Sequence, residues 1–279
     1  MRVKPLSGAL GAEILGIDLS APLPAAALSF IEEAFNDYGV IFFREQKLTP
    51  NLLKDFGQHF GDLITHPYLE GLEGHPEIMT VRKEPHETIN FANGWHTDST
   101  YQEQPSFASI LYAVTVPDFG GDTLFANMYL AYEKLSPGMQ ELLCGLTAQH
   151  SFAGRQGIGG SGREQDSKYS NHKLQNNSTI DTTVEHPVIL VNNHNARKAL
   201  YVNSMFTTAF KNMTAEESAP LLDFLFEFCV KPEFTCRFQW RIGSVAFWDN
   251  RSTQHYPLND YQGQERLMHR ITLAGDVPA

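Results

Sequence analysis

The chain has 279 residues, 42% of them apolar, and a formal net charge of -11. That length and composition suffice for one large core, and an acidic chain without basic runs argues against nucleic acid or an anionic membrane surface as a partner. If the substrate is an anion, a local pocket must attract it against the global field.

In chain order, Ala25 to Tyr38 is apolar at helical spacing through Leu28, Ile31, Ala34 and Phe35, and predicts a helix. Val40 to Phe43 follows as a short buried strand. Thr49-Pro50 and Ser136-Pro137 each read as a cap followed by a first-turn proline. They open helices reaching about Phe60 and Leu143. Thr214 with Glu217 is a capping box opening a long helix through Leu221, Leu222, Leu225 and Phe226. The candidate strands are Ser106–Val114, Asp122–Ala126, Val188–Val191, Ala199–Asn203, Phe234–Arg241, Ser244–Trp248 and His269–Ala274. The pattern predicts a mostly β fold with flanking helices, a sandwich or jelly roll, forming one domain over residues 1–279. Residues 154–178 carry Gly157, Gly159, Gly160 and Gly162 with few apolar anchors, and are expected to form a lid.

Cys144, Cys229 and Cys236 are odd in number and lie in or beside apolar segments, which predicts buried, reduced thiols. The first residues lack the apolar stretch of a secretory signal, and no run approaches the roughly 18 apolar residues of a membrane helix. A cytoplasmic protein is therefore expected. The helix with Leu222, Leu225, Phe226 and Phe228 is apolar on more than one face, which suits deep burial or a homo-oligomer, a dimer or tetramer.

The chemistry concentrates in His96-Thr97-Asp98 and a late histidine, His255. Two imidazoles and one carboxylate hold ferrous iron on one face and leave the other face open. A strand entering a turn would project His96 and Asp98 to the same side. His255 lies just beyond an apolar strand, where a third ligand belongs, whereas His75, His86, His172, His186 and His194 fit polar loops or strand starts. Arg266 and Arg270 share a face on either a helix or a strand. Each meets an internal carboxylate or the anion of a ligand, since an unpaired buried arginine is costly.

These stretches resemble the taurine dioxygenase family of Fe(II)/2-oxoglutarate-dependent oxygenases. They begin with Gly8-Ala9-Leu10-Gly11-Ala12-Glu13-Ile14, Trp95-His96-Thr97-Asp98 and Gly120-Gly121-Asp122-Thr123. Trp248-Asp249-Asn250-Arg251, Gln254-His255-Tyr256 and Arg266-Leu267-Met268-His269-Arg270 complete them, and together they cover nearly the whole chain. The resemblance implies a double-stranded β-helix holding Fe(II) through His96, Asp98 and His255. It implies that Thr123 and Arg266 bind the distal carboxylate of 2-oxoglutarate, with Arg270 on the acidic head of the substrate or on the co-substrate. It implies a reaction that consumes O2 and 2-oxoglutarate, gives succinate and carbon dioxide, and hydroxylates a small organic acid.

For the substrate, the resemblance points to His66, Tyr68, Ala92, Asn93, Phe206 and Arg270. The family's asparagine before the His-x-Asp motif is Ala92 here, with Asn93 next to it, and its tyrosine after His66 is Leu69, with Tyr68 adjacent. A taurine-like sulfonate is expected first, with an aryloxyalkanoate carboxylate or an alkyl sulfate as alternatives. Trp248, Phe247 and Phe206 are candidates for a dry wall, with Phe247 assigned to plain core packing. Two rivals of other classes remain: a jelly-roll binding protein without catalysis, and a zinc hydrolase on the same ligands.

Overall fold

The computed structural model describes residues 1–66, 70–153, 183–192 and 195–278. The predicted lid at 154–178, together with Tyr68, Leu69, His172 and His194, lies outside the described residues, in whole for each.

One large mixed sheet supplies most of the frame. Its spatial order runs Arg2–Pro5, Ala12–Leu15, Val40–Phe43, Val245–Asp249, Ala108–Thr115, Arg266–Leu273, His75–Lys83 and Gly71–Leu72, with Leu63–Ile64 paired to Arg266–Leu273. A smaller sheet, in the order Thr235–Phe238, Thr123–Asn127, Thr253–Pro257, faces it.

Period-two alternation in the central strands builds two cores at once. Val40, Phe42, Leu111, Ala113, Ala246, Trp248 and Met268 point between the sheets, where they meet Phe125, Cys236 and Phe238 of the smaller sheet. Ile41, Phe43, Ile110, Val245, Phe247, Ile271 and Leu273 point the other way, onto Ile31, Phe35, Leu53 and Phe56 of the helices Ala25–Tyr38 and Pro50–Gln58. Phe35 stacks on Phe247 at 4.2 Å between ring centres, so Phe247 is packing for the helix layer. This two-layered, helix-flanked arrangement is the jelly-roll core expected from the pattern.

The helix signals act as read. Thr49 Oγ1 accepts from Leu52 N, Ser136 Oγ accepts from Met139 N, and Thr214 and Glu217 close both arms of their capping box. Ala215–Phe228 buries Ser218, Leu222 and Leu225, while Phe224 is exposed.

Several expectations need correction. The last strand begins at Arg266, so both arginines lie within it. The predicted strand from Ala199 ends at Leu200. His186 is the fourth residue of the strand Thr183–Pro187, not its start. His75–Lys83 and Thr253–Pro257 were not legible as strands, because each mixes polar and apolar residues without alternation. Cys144 is exposed, against the expected burial, because Leu143 takes the inward position at that helix end. All three cysteines are free thiols.

Candidate active site

His96 and Asp98 do not sit on a strand. His96 forms an isolated bridge with His255, giving and receiving one backbone hydrogen bond (His96 N to His255 O at 3.1 Å, His255 N to His96 O at 2.8 Å). Asp98 follows in a turn whose Ser99 takes a left-handed backbone conformation, φ 60°, a strained state found at functional sites. His255 lies just beyond the apolar strand Val245–Asp249, in a further strand, Thr253–Pro257, and pairs with Phe125 on Thr123–Asn127. The bridge sets the two imidazoles 4.1 Å apart between ring centres.

One ligand atom from each of His96, Asp98 and His255 lies within 4.8 Å of the others. His96 Nε2 and His255 Nε2 approach Asp98 Oδ1 at 3.7 and 3.9 Å. His96 Nδ1 donates to Gly94 O at 2.9 Å, which fixes the ring with its Nε2 facing the carboxylate. Burial, then His96, holds the His255 imidazole neutral, well below its usual range, against the pull of Asp98. Burial alone would raise the Asp98 carboxyl. Arg270, the two imidazoles and Ser109 outweigh that and keep it ionised, well below the usual carboxylate range. Two imidazoles and one carboxylate, converging in a buried site, fit ferrous iron.

A buried chain of donors orients the carboxylate. Trp248 Nε1 donates to Asn250 Oδ1 at 2.9 Å, Asn250 Nδ2 to Ser109 Oγ at 3.1 Å, and Ser109 Oγ to Asp98 Oδ2 at 2.8 Å. Oδ1 faces the two imidazole Nε2 atoms and also accepts from Arg270 Nη1, and its remaining lone pair is the one a metal would take. Asn250→Ala is expected to weaken Fe(II) or Mn(II) affinity by about 10- to 100-fold while leaving the fold intact. A competition titration against a metal indicator checks this, and unchanged affinity would remove the chain from the site.

Beside the metal ligands lies a cavity lined by His96, His255, Thr123, Arg266, Arg270, Trp248 and Phe125. Arg266 and Arg270 enter it from one face of Arg266–Leu273, with Met268 between them on the same face. The two arginines differ. Arg270 Nη1 donates to Asp98 Oδ1 at 2.9 Å, an internal ion pair, and its Nε has no hydrogen-bond partner among the described residues. Arg266 is buried, and its Nε and Nη2 both lack partners among the described residues. Burial pulls its pKa down, with Tyr261 and Asp122 opposing. Thr123 Oγ1 accepts from Trp240 Nε1 at 2.9 Å, so its own O–H remains for a ligand oxygen. Orphaned guanidinium donors beside a free hydroxyl fit a carboxylate.

Of the substrate candidates, Ala92 lines the cavity with a left-handed backbone, φ 57°. Asn93 is exposed and is not among the cavity-lining residues. Phe206 stands edge-on to His96 at 6.2 Å and packs on Tyr101 at 4.9 Å. His66 is half-buried and reaches the group through Tyr101, whose hydroxyl lies 3.5 Å from His66 Nε2. Tyr101, Asn203, Trp240, Ser109 and Lys83 are site residues that sequence reasoning missed. Only Tyr101, three residues after Asp98, carried a positional signal.

Asn203 links the aromatic wall to the ligand turn. Its Oδ1 accepts from Phe206 N at 2.9 Å, and its Nδ2 donates to Thr100 Oγ1 at 3.1 Å. Thr100 Oγ1 in turn lies 3.1 Å from His150 Nδ1. Burial, then His186, pushes the His150 pKa down to about 3. Its folded value is below its unfolded one, so stability is full above about pH 6.5 and falls as pH drops towards 3. Metal-free protein is expected to lose about 2 kcal/mol between pH 6.5 and 5 from this residue alone. His150→Asn should flatten that slope in urea titrations, and an unchanged slope would refute the assignment.

Comparison with known proteins gives a consistent result. An alkylsulfatase of Acinetobacter baylyi is 35% identical over 99% of this chain and 86% of its own length. An alpha-ketoglutarate-dependent sulfate ester dioxygenase of Pseudomonas putida is 36% identical over 99% and 90%. The crystal structure of a taurine dioxygenase from Burkholderia xenovorans superposes with a TM-score of 0.83 at 36% identity, covering 100% of this chain and 90% of that one. Among the described residues, no helix is long and apolar enough to cross a membrane. Residues 2–272 match the model of the taurine catabolism dioxygenase TauD, TfdA family, and the chain belongs to that family of 2-oxoglutarate- and Fe(II)-dependent dioxygenases.

Proposed function

We propose that this enzyme acts in the cytoplasm on a small organic acid with a sulfate or sulfonate head, with alkyl sulfates ahead of taurine. The observation that carries the co-substrate reading is Arg266, a desolvated guanidinium with two unpartnered donors in the cavity that His96 and His255 also line. A zinc hydrolase has no use for such a group. When bound, Fe(II) with 2-oxoglutarate and O2 supplies the oxidising chemistry that replaces a substrate C–H by C–OH and releases succinate and carbon dioxide.

The residues divide the remaining tasks. His96, Asp98 and His255 present three donors on one side. Arg266 and the Thr123 hydroxyl take the distal carboxylate of the co-substrate. Arg270 takes the acidic head of the substrate through its unpartnered Nε while Nη1 stays on Asp98. Phe206, Tyr101 and Trp248 give a dry wall that orients the organic part of the substrate and excludes water.

Two points favour an alkyl sulfate over taurine. The small Ala92 side chain lines the cavity at the position where a sulfonate-binding asparagine was expected, and Asn93 is exposed. The pocket is thus roomier and less polar at the head. Two of the relatives compared above are named for sulfate esters or alkyl sulfates. Hydroxylation of the carbon bearing the sulfate oxygen gives an unstable adduct that collapses to an aldehyde and inorganic sulfate.

The test supplies Fe(II), 2-oxoglutarate and air with a panel of linear alkyl sulfates, taurine, longer sulfonates and aryloxyacetates. Succinate is measured alongside sulfate, sulfite or phenol. Stoichiometric succinate, aldehyde and sulfate from an alkyl sulfate is the expected result. Fastest turnover of taurine or of an aryloxyacetate would defeat the proposal.

A further inference from the structure

Lys83 is the last residue of His75–Lys83 and the direct cross-strand partner of Arg266. Directly opposed residues in an antiparallel pair project to the same face, with Cβ atoms roughly 5 Å apart. Both line the same cavity, and both are buried, Lys83 at 3% exposure and Arg266 at 5%. Two like charges in that relation repel, and burial removes the water that would screen them.

The surrounding residues do little to offset this. The Lys83 ammonium has a long hydrogen bond to Gln262 Oε1, 3.4 Å, and sits 4.2 Å from the centre of the Tyr261 ring. No carboxylate lies within ion-pair distance of it or of Arg266 among the described residues, although the chain carries 32 acidic side chains against 21 basic ones. Glu87 opposes the effect of burial on Lys83 only at longer range, and its Oε2 accepts from Glu84 N. A buried lysine placed against a buried, unpartnered arginine is an arrangement that an incoming dianion would relieve.

We propose that Lys83 is a second cation of the co-substrate subsite, which with Arg266 selects a 2-oxo acid carrying a second carboxylate. The inference rests on the 2-oxoglutarate reading above and extends it to a residue outside the Thr123 and Arg266 pair. Arg266 makes the forked contact with the distal carboxylate. Lys83 adds attraction that an uncharged chain end would not feel, so its effect depends on the charge at that end of the co-substrate.

The experiment is an anaerobic calorimetric titration of the Mn(II)-loaded enzyme with 2-oxoglutarate and with 2-oxopentanoate, which has the same carbon count but no distal carboxylate. Lys83→Met is expected to weaken 2-oxoglutarate about tenfold or more and to leave 2-oxopentanoate within about twofold. Lys83→Arg is expected to retain most of the affinity for 2-oxoglutarate. Should Lys83→Met melt early, Lys83→Gln serves in its place and must show the same selective loss. Equal losses for both acids, or no loss for either, would overturn the proposal while wild-type binding of 2-oxoglutarate stands. Failure of the wild-type enzyme to bind 2-oxoglutarate would instead overturn the co-substrate reading and this inference with it.

Discussion

Asp98→Ala is expected to lower the stability of the metal-free protein by about 3–5 kcal/mol as well as abolish metal binding. The stability loss does not come from the metal. Asp98 is the ion-pair partner of Arg270 at 2.9 Å, and both side chains are at least nine-tenths buried. Removing the carboxylate leaves a guanidinium in a desolvated site with no anion, and Ser109 Oγ loses its acceptor. Activity should fall at least about a thousandfold, roughly 4 kcal/mol on the barrier. His255→Ala is the control: it also removes a ligand but strands no charge, so its melting temperature should fall less. If Asp98→Ala melts at or above the wild type in chelator, the buried ion pair is not the stabilising contact described here.

Arg266→Met should behave in the opposite sense. The guanidinium is buried without partners for Nε and Nη2, and only Tyr261, Asp122 and the Trp240 ring offset its desolvation in the ligand-free protein. A thioether of similar length is expected to leave stability unchanged or raise it by about 1 kcal/mol. Affinity for 2-oxoglutarate should nevertheless fall by about 2–5 kcal/mol, thirtyfold or more, because the charged partner of the distal carboxylate is gone. Thermal melts with and without 2-oxoglutarate separate the two effects. A drop in ligand-free stability comparable to that of Asp98→Ala would make Arg266 a structural residue and undercut its assignment to the co-substrate.

Much of the site was legible because its signals are local or carry motif spacing. His96 and Asp98 are two residues apart, and Arg266 and Arg270 share a strand face, so spacing marked both pairs, although His96 and Asp98 lie in a bridge and a turn rather than on a strand. The caps at Thr49, Ser136 and Thr214 were legible for the same reason. What escaped depends on strand register between distant segments. Trp240 reaches Thr123 across 117 residues, and Lys83 meets Arg266 across the gap between two strands far apart in the chain. Nothing within either segment announces its partner. Thr253–Pro257 was missed because its sequence, TQHYP, has no apolar alternation; its pairing with Thr123–Asn127 at the edge of the smaller sheet, not its composition, makes it a strand. Cys144 was misjudged because apolar neighbours do not say which of them faces inward.

The two-sided burial of Arg266–Leu273 bears on how the chain finds its pairing. Met268 faces one core while Ile271 and Leu273 face the other, so hydrophobicity discriminates poorly between the correct alignment and a slip by one residue. The arginines break that ambiguity. A one-residue slip would turn both guanidiniums onto the layer of Ile31, Phe35 and Phe56, where Asp98 is absent. Folding intermediates in the wrong alignment are therefore penalised by the same side chains that bind ligand in the right one. Replacing both arginines with methionine would remove that proofreading, and misaligned, aggregation-prone chains would accumulate even though neither change enlarges the core.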